Sequence, residues 1–515
     1  MPASYKTPGV YLVEKDAFPG SVVEVATAIP AFIGYTEKAE YNGKDLTNKP
    51  FRITSFAEYV NVFGGAPTIR FTYGAVAAPA SESSDEESES ASEAKTEGKS
   101  GLAAKTMYRL YDSMRIFFQN GGAACYICSV GGYDKEIDKD VLLKGITPFV
   151  KEQEPTIMLV PDAVSLATAA DCASIQNELL AHCDKMQNRF AILDVFDGYK
   201  EPLECINTFR EGVTSFLKYG AAYYPWINTN IVSPNEVSFA NIDPADDAYA
   251  ALALDLAKSV VPSVKTLDDD TSNLSKRDAE LVSFFKKLST FDATKDDPTD
   301  LHNTLKVVCP KYAAMMNTMS EMLNLMAPSA AIAGIYSRVD NSEGVWKAPA
   351  NVGVNAVISP TVNLTNDEQE DLNVPLNGKA VNAIRYFVGD GVKVWGARTL
   401  DGNSLDWRYV NVRRTMIMLE ESIKQASKAY VFDANTATTW LTMKNMIGNF
   451  LNGIWKRGGL AGSTPEDAYE VHVGLGDTMT PEDILEGILR VTVKVALIRP
   501  AEFIELTFQQ QQQKS

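Results

Sequence analysis

Near its C-terminus the chain alternates apolar and polar positions over two consecutive stretches. From Leu489 it reads L-R-V-T-V-K-V-A-L-I-R-P-A-E-F-I-E-L-T-F. Val491, Val493, Val495 and Leu497 fall on one face of an extended strand, with Thr492, Lys494 and Ala496 on the other. Beyond Arg499-Pro500 a second apolar strand is expected over Glu502, Phe503, Ile504, Glu505, Leu506, Thr507 and Phe508, with a Gln run after it. A strand of similar character, Gly9, Val10, Tyr11, Leu12, Val13 and Glu14, stands behind Thr7-Pro8. A bare apolar edge pairs with any chain it meets. Sticky strands at both ends therefore point to subunits that complete each other's sheets, although the two could also pair within one chain.

Between these ends the period switches back and forth. Short apolar runs at 27–36, 123–130, 156–160 and 190–195 read as buried strands. Helical spacing runs through 56–63, 106–120, 167–184 and 203–216. Such alternation predicts an α/β layer. Residues 234–328 turn helical, with stretches at 248–260, 277–288 and 306–326 and charged links between them, and read as an inserted subdomain. From Leu372 a last domain is expected, with amphipathic helices at 412–431 and 436–455. The T-P-E-D at Thr480 starts a further helix, with a hydroxyl cap, an early Pro and an acid three residues on.

Residues 81–101 differ in kind. S-E-S-S-D-E-E-S-E-S-A-S-E-A-K-T-E-G-K-S-G carries no bulky apolar side chain, so it cannot offset the entropy of ordering, and a disordered acidic loop is expected. The whole chain has 515 residues and a formal charge of -18, enough length for two or three domains and too acidic for nucleic acid as a main partner. No apolar run is long enough to span a bilayer. The first residues, M-P-A-S-Y-K-T-P-G, lack the apolar core of an export signal. Six scattered cysteines fit reduced thiols better than a disulfide framework.

Candidate chemistry is sparse. Cys125 and Cys128 have the spacing of a redox pair or half a zinc site. No second C-x-x-C exists, and His182, His302 and His472 are remote in sequence. His182 is expected to be solvated or capping. Gly98-Lys99-Ser100 lacks the Gly of a phosphate loop at Glu93. Asp268-Asp269-Asp270 lacks the ligand alternation of a calcium loop. Met315, Met316, Met319, Met322 and Met326 are expected to pack in a core. No catalytic residue, cofactor site or metal site is assigned.

Nine segments, in order, resemble one family. They are T-P-G-V-Y-L-V-E from Thr7, A-I-P-A-F-I-G from Ala28, F-F-Q-N-G-G-A-A-C-Y-I from Phe117 and A-A-Y-Y-P-W from Ala221. Next come P-S-A-A-I-A-G-I-Y-S-R-V-D from Pro328, G-V-W-K-A-P-A-N from Gly344 and V-W-G-A-R-T-L from Val394. The last are W-R-Y-V-N-V-R-R from Trp407 and R-P-A-E-F-I-E-L from Arg499. The chain resembles the contractile tail sheath proteins of phages and of extracellular contractile injection systems.

The resemblance implies an α+β, multidomain sheath fold. Its N-terminal linking arm would be 1–26 and its outward middle domain 27–370, the latter with the acidic loop and a helical insertion at 234–326. An α/β inner assembly domain at 371–498 and a C-terminal linking arm at 499–515 would follow. Each arm would add a strand to a neighbour's sheet, with 15–21 and the Arg499-Pro500 turn as hinges. The implied partners are further copies in stacked rings, an inner tube protein, and baseplate and terminal cap proteins. Assembly in the cytoplasm would precede release within a phage tail or an extracellular particle. Arg413, Arg414, Lys424 and Lys428, on an otherwise acidic protein, are candidate contacts to an acidic tube, or simply a solvated face. Two rivals from other classes are an α/β enzyme with a helical lid and a non-contractile surface-array protein.

Overall fold

The computed structural model describes residues 22–73, 102–243, 248–268, 274–291 and 297–506. The expected strand at 9–14, the acidic loop at 81–101, and Thr507 and Phe508 lie outside the described residues. The chain divides into two compact units. One holds 28–339 and 349–410; the other holds, among the described residues, 22–27, 340–348 and 411–506.

The larger unit is built on a nine-stranded sheet. Its strands are β1 (Pro30–Gly34), β2 (Phe51–Ile53), β3 (Cys125–Ser129), β4 (Ile157–Leu159), β5 (Phe190–Asp194), β6 (Gly220–Tyr224), β7 (Val352–Gly353), β8 (Asn382–Phe387) and β9 (Gly391–Val394). The spatial order is β7-β9-β8-β6-β5-β4-β1-β3-β2. The central pairs β6–β8, β5–β6, β4–β5, β1–β4 and β1–β3 are parallel, with Ala31 opposite both Met158 and Tyr126. The flanking pairs β2–β3, β8–β9 and β7–β9 are antiparallel. Every residue of β1, β3, β5 and β6 is buried. That is why their sequences run apolar without alternation: both faces of a parallel sheet are covered.

The covering helices start where local chemistry supplies acceptors for their first amide groups. Ser55 caps α1 (Phe56–Phe63) and Thr168 caps α4 (Ala169–Met186), each through its hydroxyl. With α2 (Leu110–Gln119), α3 (Lys139–Ile146), α5 (Pro202–Gly212) and the buried α10 (Ser329–Ser342), they complete the layers. Phe32, Phe117, Ile127, Ile157, Phe190 and Ile332 share one core.

Strand order reverses at β1, whose neighbours β3 and β4 follow it in sequence on opposite sides. In open α/β sheets this is where a crevice forms at the carboxyl ends of the strands. Here Asp162, just past β4, fills it. Its carboxylate accepts from Tyr35 N at 2.8 Å and from Arg109 N, at the start of α2, at 2.6 Å. Gly34 is required beside it, because a Cβ there would collide with Asp162 Oδ2. Burial pushes the Asp162 carboxyl up to about 6, against the opposing effect of those amide bonds.

The helical insertion has its own core. Helices α6 (Ala248–Val260), α7 (Lys276–Ser289), α8 (Thr299–Val308) and α9 (Pro310–Leu323) bury Leu252, Phe285, Leu305 and Tyr312 together with Phe71 and Phe239. The single helix expected over 306–326 is instead two. Pro310 cannot sit inside a helix, so the chain breaks at extended Cys309 and Pro310 opens α9. Leu325–Met326 then pairs with Ile227 and Asn228 as a strand. The methionines of α9 are core residues, as expected.

The units divide elsewhere than at 371. Residues 371–410 lie in the larger unit because β8 pairs with β6 and carries β9 and β7 onto the same sheet edge. The smaller unit gains 340–348 instead.

Candidate functional site

The smaller unit stacks two long helices against a short sheet. Helix α11 (Asn366–Asn373) precedes it in the larger unit. In the smaller unit α12 (Val410–Ser427) continues as a tight turn through Lys428–Tyr430, and α13 (Ala437–Lys456) follows. Met418, Leu419, Met446, Ile447, Leu451 and Ile454 form the core between them. The apolar stripe of α12 therefore centres on Met418 and Leu419.

The sheet consists of β10 (Tyr469–His472) and β11 (Thr492–Val495), paired antiparallel with Val471 opposite Val493. Short α14 (Pro465–Ala468) leads into β10, and α15 (Pro481–Leu485), capped reciprocally by Thr480 and Asp483, lies between the two strands. The alternation read from the sequence is present: Val491, Val493, Val495 and Leu497 pack on the core while Thr492 and Lys494 point out. Those four apolar residues are only partly buried. Among the described residues the sheet has two strands. In an antiparallel ladder alternate residues turn their N–H and C=O groups away from the partner. Each four-residue strand thus offers the backbone groups of two residues to a further strand.

The C-terminal segment supplies a strand-like sequence without a ladder. Residues 501–506 have no assigned secondary structure. Phe503, Ile504 and Leu506 are 76%, 78% and 73% exposed. Such side chains are normally covered, and a run of them marks an interaction site. Strand β10 was not anticipated, since Y-E-V-H is too short to declare a period.

The four expected cations separate into two pairs. Lys424 and Lys428 are exposed, and Lys424 Nζ lies 3.0 Å from Glu421 Oε2. Arg413 and Arg414 are buried, which corrects the expectation that they present charge on a surface. Arg413 Nη2 lies 3.5 Å from Glu420 Oε2. Arg414 grips Asp340 through two bonds, Nη1–Oδ1 at 3.0 Å and Nη2–Oδ2 at 2.6 Å. A buried guanidinium needs such a partner because desolvation leaves it nothing else.

The remaining polar candidates are absorbed by packing. All six cysteines are buried, and burial raises the thiol pKa of Cys125 and Cys172 well above the ordinary value and that of Cys128, Cys183 and Cys205 to about 12. Thiols held protonated are poor nucleophiles and poor ligands. His182 is buried rather than solvated: its ring nitrogen lies 2.6 Å from Arg189 Nη1, and burial together with that cation lowers it to about 4. Asp268 pairs with Lys286; Asp269 and Asp270 lie outside the described residues. Among the described residues no three His, Cys, Asp or Glu side chains gather as a metal site, and no helix is long and apolar enough to cross a membrane.

Comparison with known proteins places these features. Residues 285–400 match the model of the phage tail sheath protein central domain, and 403–511 that of the phage tail sheath C-terminal domain. The tail sheath protein of Enterobacteria phage T4 is 27% identical over 188 residues, which is 36% of this chain and 27% of that protein. That of Vibrio phage KVP40 is 24% identical over 216 residues, 41% of this chain and 30% of that protein. The matched regions thus span less than a third of those relatives' lengths. Solved structures match along nearly the whole chain. The sheath complex of PVC, an extracellular contractile injection system, in its contracted state has a TM-score of 0.59 at 26% identity, covering 99% of both chains. The contracted helical sheath of the anti-feeding prophage has a TM-score of 0.60 at 26% identity, covering 99% of this chain and 100% of the other.

Proposed function

This chain belongs to the contractile tail sheath family, and from that premise we propose that it polymerises helically around an inner tube and contracts to drive the tube through a target envelope. Its role is structural. The observation that carries the reading is the presence, in one unit, of an exposed apolar segment at 501–506 and of a two-stranded sheet, β10–β11, whose apolar face is half covered. Gly9–Glu14 of one copy and Glu502–Phe508 of another supply the missing strands. Each added strand contributes about four hydrogen bonds at roughly 1 kcal/mol each. One such junction is weak. Repetition around rings and along the helix makes the array persistent through avidity.

The arms act as hinges that keep neighbours joined while subunit bodies swing outward. Lys424 and Lys428 are the proposed contacts to an acidic tube surface. Arg413 and Arg414, being buried, are left out of that role. The other partners are a baseplate and a terminal cap. Assembly takes place in the cytoplasm, and the product is part of a phage tail or of an extracellular injection particle.

Removal of residues 1–16 from the full chain tests the reading. With tube protein present, the wild-type chain is expected to form long striated cylinders in negative stain and the truncated chain to stay as soluble subunits. Normal cylinders from the truncated chain would refute it.

A further inference from the structure

We propose that α12 carries load from one linking arm to the other, because the roots of both arms are hydrogen-bonded to its side chains. This deepens the sheath reading and rests on it. On the N-terminal side Ser422 Oγ accepts from Val25 N at 3.1 Å. Arg414 Nη2 donates to Thr27 O at 3.0 Å, and Thr27 Oγ1 donates to Asp340 Oδ2 at 2.6 Å. On the C-terminal side Asn411 Nδ2 donates to Ile498 O at 3.0 Å and to Trp346 O at 2.9 Å. Ile498 immediately precedes Arg499-Pro500, where the C-terminal arm departs.

Residues 411, 414 and 422 lie on one stripe of a helix with 3.6 residues per turn. Three side chains of a single rigid element therefore hold both departure points. The bonds are sheltered: Asn411, Arg414, Asp340 and Ser422 are all buried or nearly so, with Arg414 and Asp340 side chains 4% and 3% exposed. A buried ion pair adds little net stability over an apolar pair, so its retention fits a role in fixing geometry. Tension on either arm meets these bonds before it reaches the apolar core behind the helix. In an array where each copy gives and receives arms, α12 becomes one segment of a continuous strap through successive subunits.

The experiment compares Ser422→Ala and Asn411→Leu with Thr415→Val in the full chain. Thr415 is equally buried on the same helix and its hydroxyl makes no hydrogen bond to either root, so it reports on loss of a buried polar group alone. Two readouts are needed. In the isolated chain, hydrogen exchange is expected to speed at least tenfold at 22–27 in Ser422→Ala and at 496–500 in Asn411→Leu. In sheaths assembled on tube protein, both variants should contract at a lower urea concentration than wild type, with Thr415→Val unchanged. Faster exchange with an unchanged contraction threshold overturns the load path while leaving the sheath reading intact, as does an equal shift in Thr415→Val. Failure of the wild-type chain to form cylinders overturns the sheath reading and this inference with it. Should Asn411→Leu not fold, Ser422→Ala, which deletes one oxygen, still decides the matter.

Discussion

The alternation at the C-terminal arm identifies which face would dock in the proposed strand exchange. In an extended strand Ile504 and Leu506 share one side, and Phe503 and Glu505 share the other. Replacing both Ile504 and Leu506 by Ser removes the face that would meet the half-covered valines of β11. The two side chains are 78% and 73% exposed in the chain alone, so docking has most of their surface still to bury. Full burial of such a side chain is worth about 1.5–3 kcal/mol, and roughly three-quarters of that remains available here. The double variant should lose about 3 kcal/mol per arm, a little more than a hundredfold in the affinity of each junction. The assay is sedimentation of cylinders at fixed tube concentration across a dilution series of the sheath chain. The concentration needed for pelleting should rise at least a hundredfold in Ile504→Ser/Leu506→Ser and stay near wild type in Glu505→Ser. Equal damage from Glu505→Ser, or wild-type pelleting by the double variant, would refute the reasoning, since neither is compatible with a period-2 contact.

Two further outcomes are expected. Asp162 titrates near 6 when folded against 3.8 when exposed, so the folded chain takes up its proton first and is relatively more stable below that window than above it. Asp162→Asn should reduce the loss of stability between pH 4 and pH 7 by on the order of 2–3 kcal/mol, measured by urea unfolding at each pH. Charge reversal of Lys424 and Lys428, both exposed, should lower the melting temperature modestly, because Glu421 loses its cation partner, and should weaken tube-templated assembly measured by co-sedimentation at temperatures where the variant is fully folded, the effect fading as salt rises.

Elements whose cause is local were legible in the sequence. β1, β3 and β5 run apolar up to their last residues because helices cover both faces, and the Thr480–Asp483 box announces α15 by side chains three residues apart. Elements whose cause is distant were not. Arg414 looks like a surface cation on a basic stretch of α12, and only Asp340, far upstream, shows it to be an internal anchor. The boundary drawn at 371 failed to follow β8 and β9 into the larger sheet, because β6, the strand that ties β8 to it, comes from well over a hundred residues away. Within 306–326 the local signal, Pro310, was present and was outweighed by the helical spacing around it. The arms occupy a middle position: alternation and apolarity mark them as strands, yet the surface that would receive them includes β10, which is four residues long and has no sequence signature of its own.

The carboxylate of Asp162 at the reversal point of the large sheet has one more implication. In related architectures that crevice is where a guest molecule settles and where binding can bend the plate. In this chain a side chain of the protein is already seated there, tied to the backbone on two sides in the room that Gly34 leaves. The plate is thereby braced from within, and a braced plate suits the proposed swing of each subunit as a solid paddle.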